Sequence, residues 1–319
     1  MAEKKGLLGS GLGMVMRNKR YIFWFWLLNL GLAKLGVTAF YENASGVLDH
    51  SLYADRLVHG FSLSAYIEML ARPEFGPMEA SRAPGVYLGL VFLVATVLFI
   101  PGVFQGYGST YRLPRDEFFR ACGRNLWRFI RLLIVAGIVM GIVAALLFWA
   151  HSALVKKAGD STNELLSVEV MVSTLAIIFL VMTVLRIWLD LAEADVVLND
   201  QRAVRRSMGA AFRHTVRGLG RLLGSYVFAA IVGIVILCAG LAVWVHYVPP
   251  ASVVGAWAVS QATLLLLLIP RFWQRGVAVS YWKQEMMTAV VEPPPIAPPA
   301  PVASEPPPAP VMPSGPTGA

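Results

Sequence analysis

The sequence predicts an all-α integral membrane fold, with six transmembrane helices built as three repeats of an amphipathic helix followed by a hairpin and both termini on the cytoplasmic side. Three observations carry that expectation. Hydrophobic residues make up 57% of the 319 residues, charged residues only 14%, and the mean hydropathy is +0.63, whereas a soluble domain is about a quarter charged. Several runs reach the roughly 20 apolar residues that a spanning helix needs. Lys and Arg gather in alternate connections, as they do when short basic loops stay cytoplasmic. Little chain is left over for a soluble catalytic domain.

Taken in order, the expected spans are 21–40, 86–104, 129–149, 170–191, 223–246 and 253–269. A basic segment, 1–20, precedes the first. The first run is too long and too rich in Trp for the core of a signal peptide, so it reads as a retained helix. Residues 41–85 form the one large outside loop, in which 47–59 and 63–70 read as two short helices with apolar faces. The membrane domain is expected to end at 291. The tail, 292–319, is mostly Pro, Ala and Ser, with Pro293-Pro-Pro295 and Pro306-Pro-Pro308; it has too few packing side chains to bury a core and is expected to be disordered or polyproline II. Gly137, Gly141, Gly233 and Gly240 mark where spans three and five are expected to approach other helices closely.

Orientation follows from charge. Lys4, Lys5, Arg17, Lys19 and Arg20 precede span one. Arg112, Arg115, Arg120, Arg124, Arg128 and Arg131 join spans two and three, and Arg202, Arg205, Arg206, Arg213, Arg217 and Arg221 join four and five. Arg271, Arg275 and Lys283 follow span six. The other side carries mostly Asp and Glu. Net charge is +8, but these cations flank apolar runs and do not form a separate soluble face, so no nucleic-acid partner is expected.

The basic segments share a pattern. Arg120, Arg124, Arg128 and Arg131 step by four, four and three residues, and Arg213, Arg217 and Arg221 by four, which aligns each set on one helical face. Such faces anchor a helix at the membrane surface and suit anionic lipid headgroups. The returning spans two and six end alike, in Ile100-Pro-Gly-Val-Phe-Gln105 and Ile269-Pro-Arg-Phe-Trp-Gln274. Each proline removes a backbone hydrogen bond, and Gln105 or Gln274 could satisfy a freed carbonyl or a neighbouring helix.

Polar residues within spans are the usual pointers to function in membranes. Lys34 lies in the outer half of span one and can snorkel outward. Arg186, Asp190, Glu193 and Asp195 lie at the inner end of span four, where Arg186 and Asp190, four residues apart, can pair. Trp149-Ala-His151 and Trp244-Val-His246 close spans three and five as interfacial aromatics. His50 and His59 share that side, but no compact ligand spacing accompanies them, and no metal or other cofactor is expected. Cys122 and Cys238 offer no disulfide framework. Walker, Rossmann, nucleophile-elbow and HExxH patterns are absent.

The stretch after span four, with Asp195 followed by Ala203-Val-Arg-Arg-Ser207 and an Arg-bearing segment entering span five, resembles bacterial six-helix membrane proteins related to the membrane domain of glycerophosphoryl diester phosphodiesterases. The resemblance implies a module of the bacterial inner membrane. It implies no catalysis, because the phosphodiesterase of such fusions is a separate soluble barrel with acidic and histidine metal ligands.

The expected function is therefore that of a non-enzymatic membrane scaffold or accessory protein. It would contact anionic lipids through its basic helices and a cytoplasmic partner through its Pro-rich tail. The alternative is a small-molecule or lipid transporter built on the hairpin repeat; an intramembrane enzyme ranks third, for want of a nucleophile with a base. A polar cavity at mid-membrane, lined by several spans, would favour transport, and a closed apolar bundle the scaffold. Reporter fusions after Gly76 and in the tail are expected to report opposite sides of the membrane; the same side for both would overturn the topology.

Overall fold

The computed structural model describes residues 6–48, 78–160, 164–249 and 252–287, together with Ser64, Ile67, Glu68 and Ala71. The described residues form helices and contain no strand. In order these are α1 (Leu7–Arg17), α2 (Arg20–Leu48), α3 (Met78–Gly108), α4 (Arg115–Gly159), α5 (Glu164–Leu198), α6 (Val204–Arg217), α7 (Leu219–Tyr247) and α8 (Val253–Tyr281), which continues into a π-helical turn, Trp282–Met286. Among the described residues five helices, α3, α4, α5, α7 and α8, are long and apolar enough to cross a membrane. The chain has the helices of a multi-pass membrane protein.

Several elements outrun the apolar runs that announce them. Helix α4 holds the basic stretch and the apolar run in one 45-residue rod, because the weakest helix former before Phe129 is Gly123 and a single glycine costs only about 1 kcal/mol. Helix α8 passes through Pro270 and continues to Tyr281, well beyond the end expected at Ile269. The proline removes one hydrogen bond, and burial of Phe272, Trp273, Val277 and Tyr281 beyond it offsets that loss. Helix α3 likewise passes through Pro101. Helix α2 covers the first expected span and runs on to Leu48. The short helices expected over 47–59 and 63–70 fall almost wholly outside the described residues, as do His50, His59 and the Pro-rich tail.

Burial is concentrated at one end. Tyr21, Phe104, Tyr107, Phe118, Phe129, Leu191, Leu222, Tyr226, Phe272 and Val277 are buried in one cluster, and all stand where the arginine-rich ends of the long helices meet. In the far halves, of the described apolar residues, only Ala44, Ala158 and Ile178 are buried. Within the most apolar stretch of the five long helices, protein buries just 6–22% of the residues. Side chains such as Ile142, Leu146, Ile234, Val235 and Leu241 stand more than half exposed, a surface that only lipid can cover at acceptable free energy.

Aromatic rings fill the core. Tyr21 stacks on Phe118 with centroids 5.3 Å apart, Trp24 meets the same ring edge-on at 5.5 Å, and Phe25 meets Phe272 at 5.2 Å. These pairs join α2 to α4 and α8. Arg20 donates to Leu113 O in the connection before α4, and the end of α3 itself collects two cations: Arg17 donates to Ser109 O at 3.0 Å and Lys283 to Tyr107 O at 3.1 Å. This is the arrangement that a helix C-terminus favours.

Helix α1 lies across α8 at backbone contact. A Cβ on Gly11 would lie 2.8 Å from Val277 N, and one on Gly276 would lie 2.6 Å from Gly11 O. Trp273 Nε1 donates to Leu8 O at 2.9 Å, and Ser10 and Ser280 share a hydrogen bond. Gly240 sits against Thr263, so α7 and α8 also approach closely, whereas Gly137 and Gly141 meet nothing within 4 Å. The GxxxG of α4 is not a packing face among the described residues. Gly276→Ala should destabilise the bundle by about 1–3 kcal/mol through overpacking, while Gly137→Ala should be neutral or better. Melting in detergent reads the difference; equal melting of the two variants would show that the α1–α8 crossing is not as tight as described.

Candidate functional site

Three of the four polar residues expected at the end of span four are buried in α5: Asp190, Glu193 and Asp195 are 3%, 5% and 4% exposed. Helical spacing splits them between two surroundings. Asp195 Oδ1 accepts hydrogen bonds from Asn199 Nδ2 at 2.9 Å and from Trp282 Nε1 at 3.2 Å, which ties α5 to the π turn after α8. This carboxylate has its partners and reads as a fastener.

Asp190 and Glu193 face elsewhere. Asp190 Oδ2 accepts the Tyr226 hydroxyl of α7 at 2.8 Å and lies 3.8 Å from Arg186 Nε. Gln274 Nε2 donates to the Tyr226 carbonyl at 3.2 Å, so α8 is linked to the same tyrosine. Glu193 Oε2 is buried without a hydrogen-bond partner, as are Arg186 Nε and Arg275 Nε. Buried polar atoms in that state are uncommon and call for an explanation.

A cavity of about 430 Å³ supplies the setting. Arg186, Asp190, Glu193 and Arg275 line its floor. Leu93, Thr96, Val97 and Ile100 of α3, Phe129, Leu133 and Met140 of α4, and Met182 and Leu189 of α5 form its walls. The size falls within the ~300–1,000 Å³ usual for small-molecule sites. Two guanidiniums and two carboxylates thus meet in one apolar-walled recess among four helices.

No known protein-family profile, curated protein or solved structure matches the chain.

The remaining expected residues divide clearly. Lys34 is exposed on α2, and Gln105 is half-buried near the end of α3, outside the cavity lining. Arg128 donates to the carboxylate of Asp200, whose φ of 49° places it in the left-handed region that Asp tolerates, and Arg124 lies 4.0 Å away. Arg128, with Arg124 beside it, holds that carboxyl below the usual range. The pair's contribution is therefore full above about pH 4 and is lost as pH falls through the lowered value. Arg221 pairs with Glu285 at 3.3 Å. Arg131 lies 5.0 Å from the Trp127 ring. Arg120, Arg213 and Arg217 are exposed and form no ion pair among the described residues.

Helix α6 rests on the bundle through Ser207, Met208, Ala211 and Thr215, and Trp188 Nε1 donates to Met208 O at 3.0 Å. Its open side shows Arg205, Arg206, Arg213 and Arg217 together with Phe212 and Val216, 60% and 59% exposed. His214 lies half-buried between these faces, and burial, aided by Arg217, lowers its pKa.

Sequence reasoning missed Arg275 and Tyr226. With span six ending at Ile269, Arg275 reads as one more flanking cation; the run Gly276-Val-Ala-Val-Ser280 after it is the available sign that the helix goes on. Asp190→Asn should lower stability by about 2–3 kcal/mol, toward the low end for breaking a buried pair because the Arg186 side chain is 39% exposed. The check is melting and expression yield. A fully stable variant that loses a solute or proton flux would instead make Asp190 a transport residue.

Proposed function

We propose that the protein is a non-enzymatic, multi-pass scaffold or accessory protein of the bacterial inner membrane, held against anionic lipid by its basic cytoplasmic helices. The carrying observation is the open face of α6, where exposed arginines alternate with exposed Phe212 and Val216. Water-facing helices rarely present both; a helix lying in the headgroup region does, with rings and aliphatic chains entering the acyl boundary while guanidiniums meet phosphates. Arg120 and Arg131 of α4, with exposed Phe119 and Trp127, offer a second patch of the same kind.

A groove of about 900 Å³ between α2 and the start of α4 adds to this reading. Trp24, Leu28, Leu32 and Phe119 wall it, and Arg115 is in its lining. An acyl chain fits the walls, and a phosphate fits the arginine. In this reading the three basic segments, 17–23, the start of α4 and α6, are the membrane-facing parts of a threefold hairpin repeat with both termini cytoplasmic. The Pro-rich tail is a ligand for an aromatic groove on a cytoplasmic partner. The likeness of 192–207 to phosphodiesterase membrane modules supports the inner membrane and adds no catalysis.

The charged-floored cavity favours a second reading, transport of a small molecule or lipid, since several helices line it. Lipid retention tests the first. Each basic residue near an anionic surface is worth about 1 kcal/mol, or about fivefold in affinity. Arg213→Gln with Arg217→Gln should therefore cut the phosphatidylglycerol retained by the purified protein, relative to phosphatidylethanolamine, by an order of magnitude and leave melting unchanged. Unchanged retention would remove the lipid-anchor role. Substrate flux in proteoliposomes would establish the second reading.

A further inference from the structure

We infer that the cavity among α3, α4, α5 and α8 is a binding site for a phosphate-headed amphiphile whose head also carries a hydrogen-bond donor. The inference shares its site with the transport reading but concerns occupancy alone, so binding without flux would retire transport and leave the inference standing.

The argument begins with the atoms left unmet. Arg186 Nε and Arg275 Nε are donors without acceptors, and Glu193 Oε2 is an acceptor without a donor. Asp190 cannot serve both arginines well. One of its oxygens already takes the Tyr226 hydroxyl, and Arg186 stands off at 3.8 Å, beyond hydrogen-bond reach. The recess therefore asks for a group that brings anionic oxygens to two guanidiniums and one proton donor to a carboxylate. A carboxylate head meets only the first demand and an ammonium only the second. A phosphate monoester bearing its P–OH meets both, and guanidinium pairs are well matched to phosphate oxygens.

The walls indicate the rest of the molecule. Above the charged floor, Leu93, Val97, Leu133, Met140 and Met182 leave a lining with no strong polar partner except the Thr96 hydroxyl, and that hydroxyl already donates to Phe92 O at 2.8 Å. A free inorganic anion would leave this apolar part unfilled, whereas a hydrocarbon chain fills it. Leu93 is 53% exposed and stands at the rim, on the helix surface that faces lipid. The entry route is sideways from the bilayer.

The test is equilibrium binding of radiolabelled dodecyl phosphate to the full chain in phosphatidylcholine nanodiscs, with binding to empty discs subtracted. Unlabelled dodecyl phosphate should compete at least tenfold better than dodecylphosphocholine, whose phosphate has no donor, and better than dodecanoate. Inorganic phosphate and dodecyltrimethylammonium should not compete in the same concentration range. Arg186→Gln and Arg275→Gln should each weaken binding tenfold or more, and Glu193→Gln should narrow the gap between the two phosphate amphiphiles. Val97→Trp, which fills the cavity and leaves every charge in place, should abolish binding. Equal competition by inorganic phosphate would show a free-anion site, displacement by the cationic amphiphile would assign the floor to cations, and binding that survives Val97→Trp would place it elsewhere; each overturns the inference. The competition series uses the unaltered chain, so a variant that fails to insert leaves that readout intact.

Discussion

Apolar burial drives helices together only where water is the alternative, and the arrangement of this protein follows from that constraint. Lipid tails solvate Leu and Ile as well as another helix does, so the long apolar halves gain little by packing on one another. At the arginine-rich end the surroundings are wet, and there the chain builds a core of ordinary kind from Tyr21, Phe104, Phe118, Tyr226 and Phe272. Aromatic residues suit this place, because they bury large areas and their hydroxyl or indole groups can reach partners at the polar edge. Tyr226 does both, filling the core and donating to Asp190.

The same constraint explains why charged groups collect beside the core. Arg17 and Lys283 close the carbonyls at the end of α3 and Arg20 bonds the connection to α4, Arg128 holds the turn at Asp200, and Asp195 ties α5 to Trp282. These bonds fix which helix ends meet and in what register. Burial alone is non-directional and would permit many arrangements of interchangeable apolar rods. The recess over Glu193 and Arg275 differs from these fasteners because its polar atoms are left unmet.

Much of the fold was legible in the sequence, since runs such as 129–149 and 223–246 can be little other than apolar helices. Where those helices end was less legible. Hydropathy falls at Arg115–Arg128 and after Ile269, but a helix does not stop because it becomes polar; it stops at a breaker, and neither stretch has an effective one. The pairing of Arg186 with Asp190 could be proposed from a four-residue step, because both lie on one helix. The approach of Arg275 and Tyr226 to that pair could not, because it depends on the crossing of α5, α7 and α8. The Gly11–Gly276 contact was equally hidden, since a glycine that meets a backbone looks the same in sequence as Gly137, which meets nothing.

The crossing of α1 over α8 also has a kinetic side. Leu8 and Trp273, joined by a hydrogen bond, are 265 residues apart in the chain. At roughly 5–20 residues per second of synthesis, α1 spends on the order of 15–50 s without its partner. The bundle can close only when α8 has been made. A ribosome-bound chain that ends before α8 therefore lacks the backbone surface on which its first helix packs.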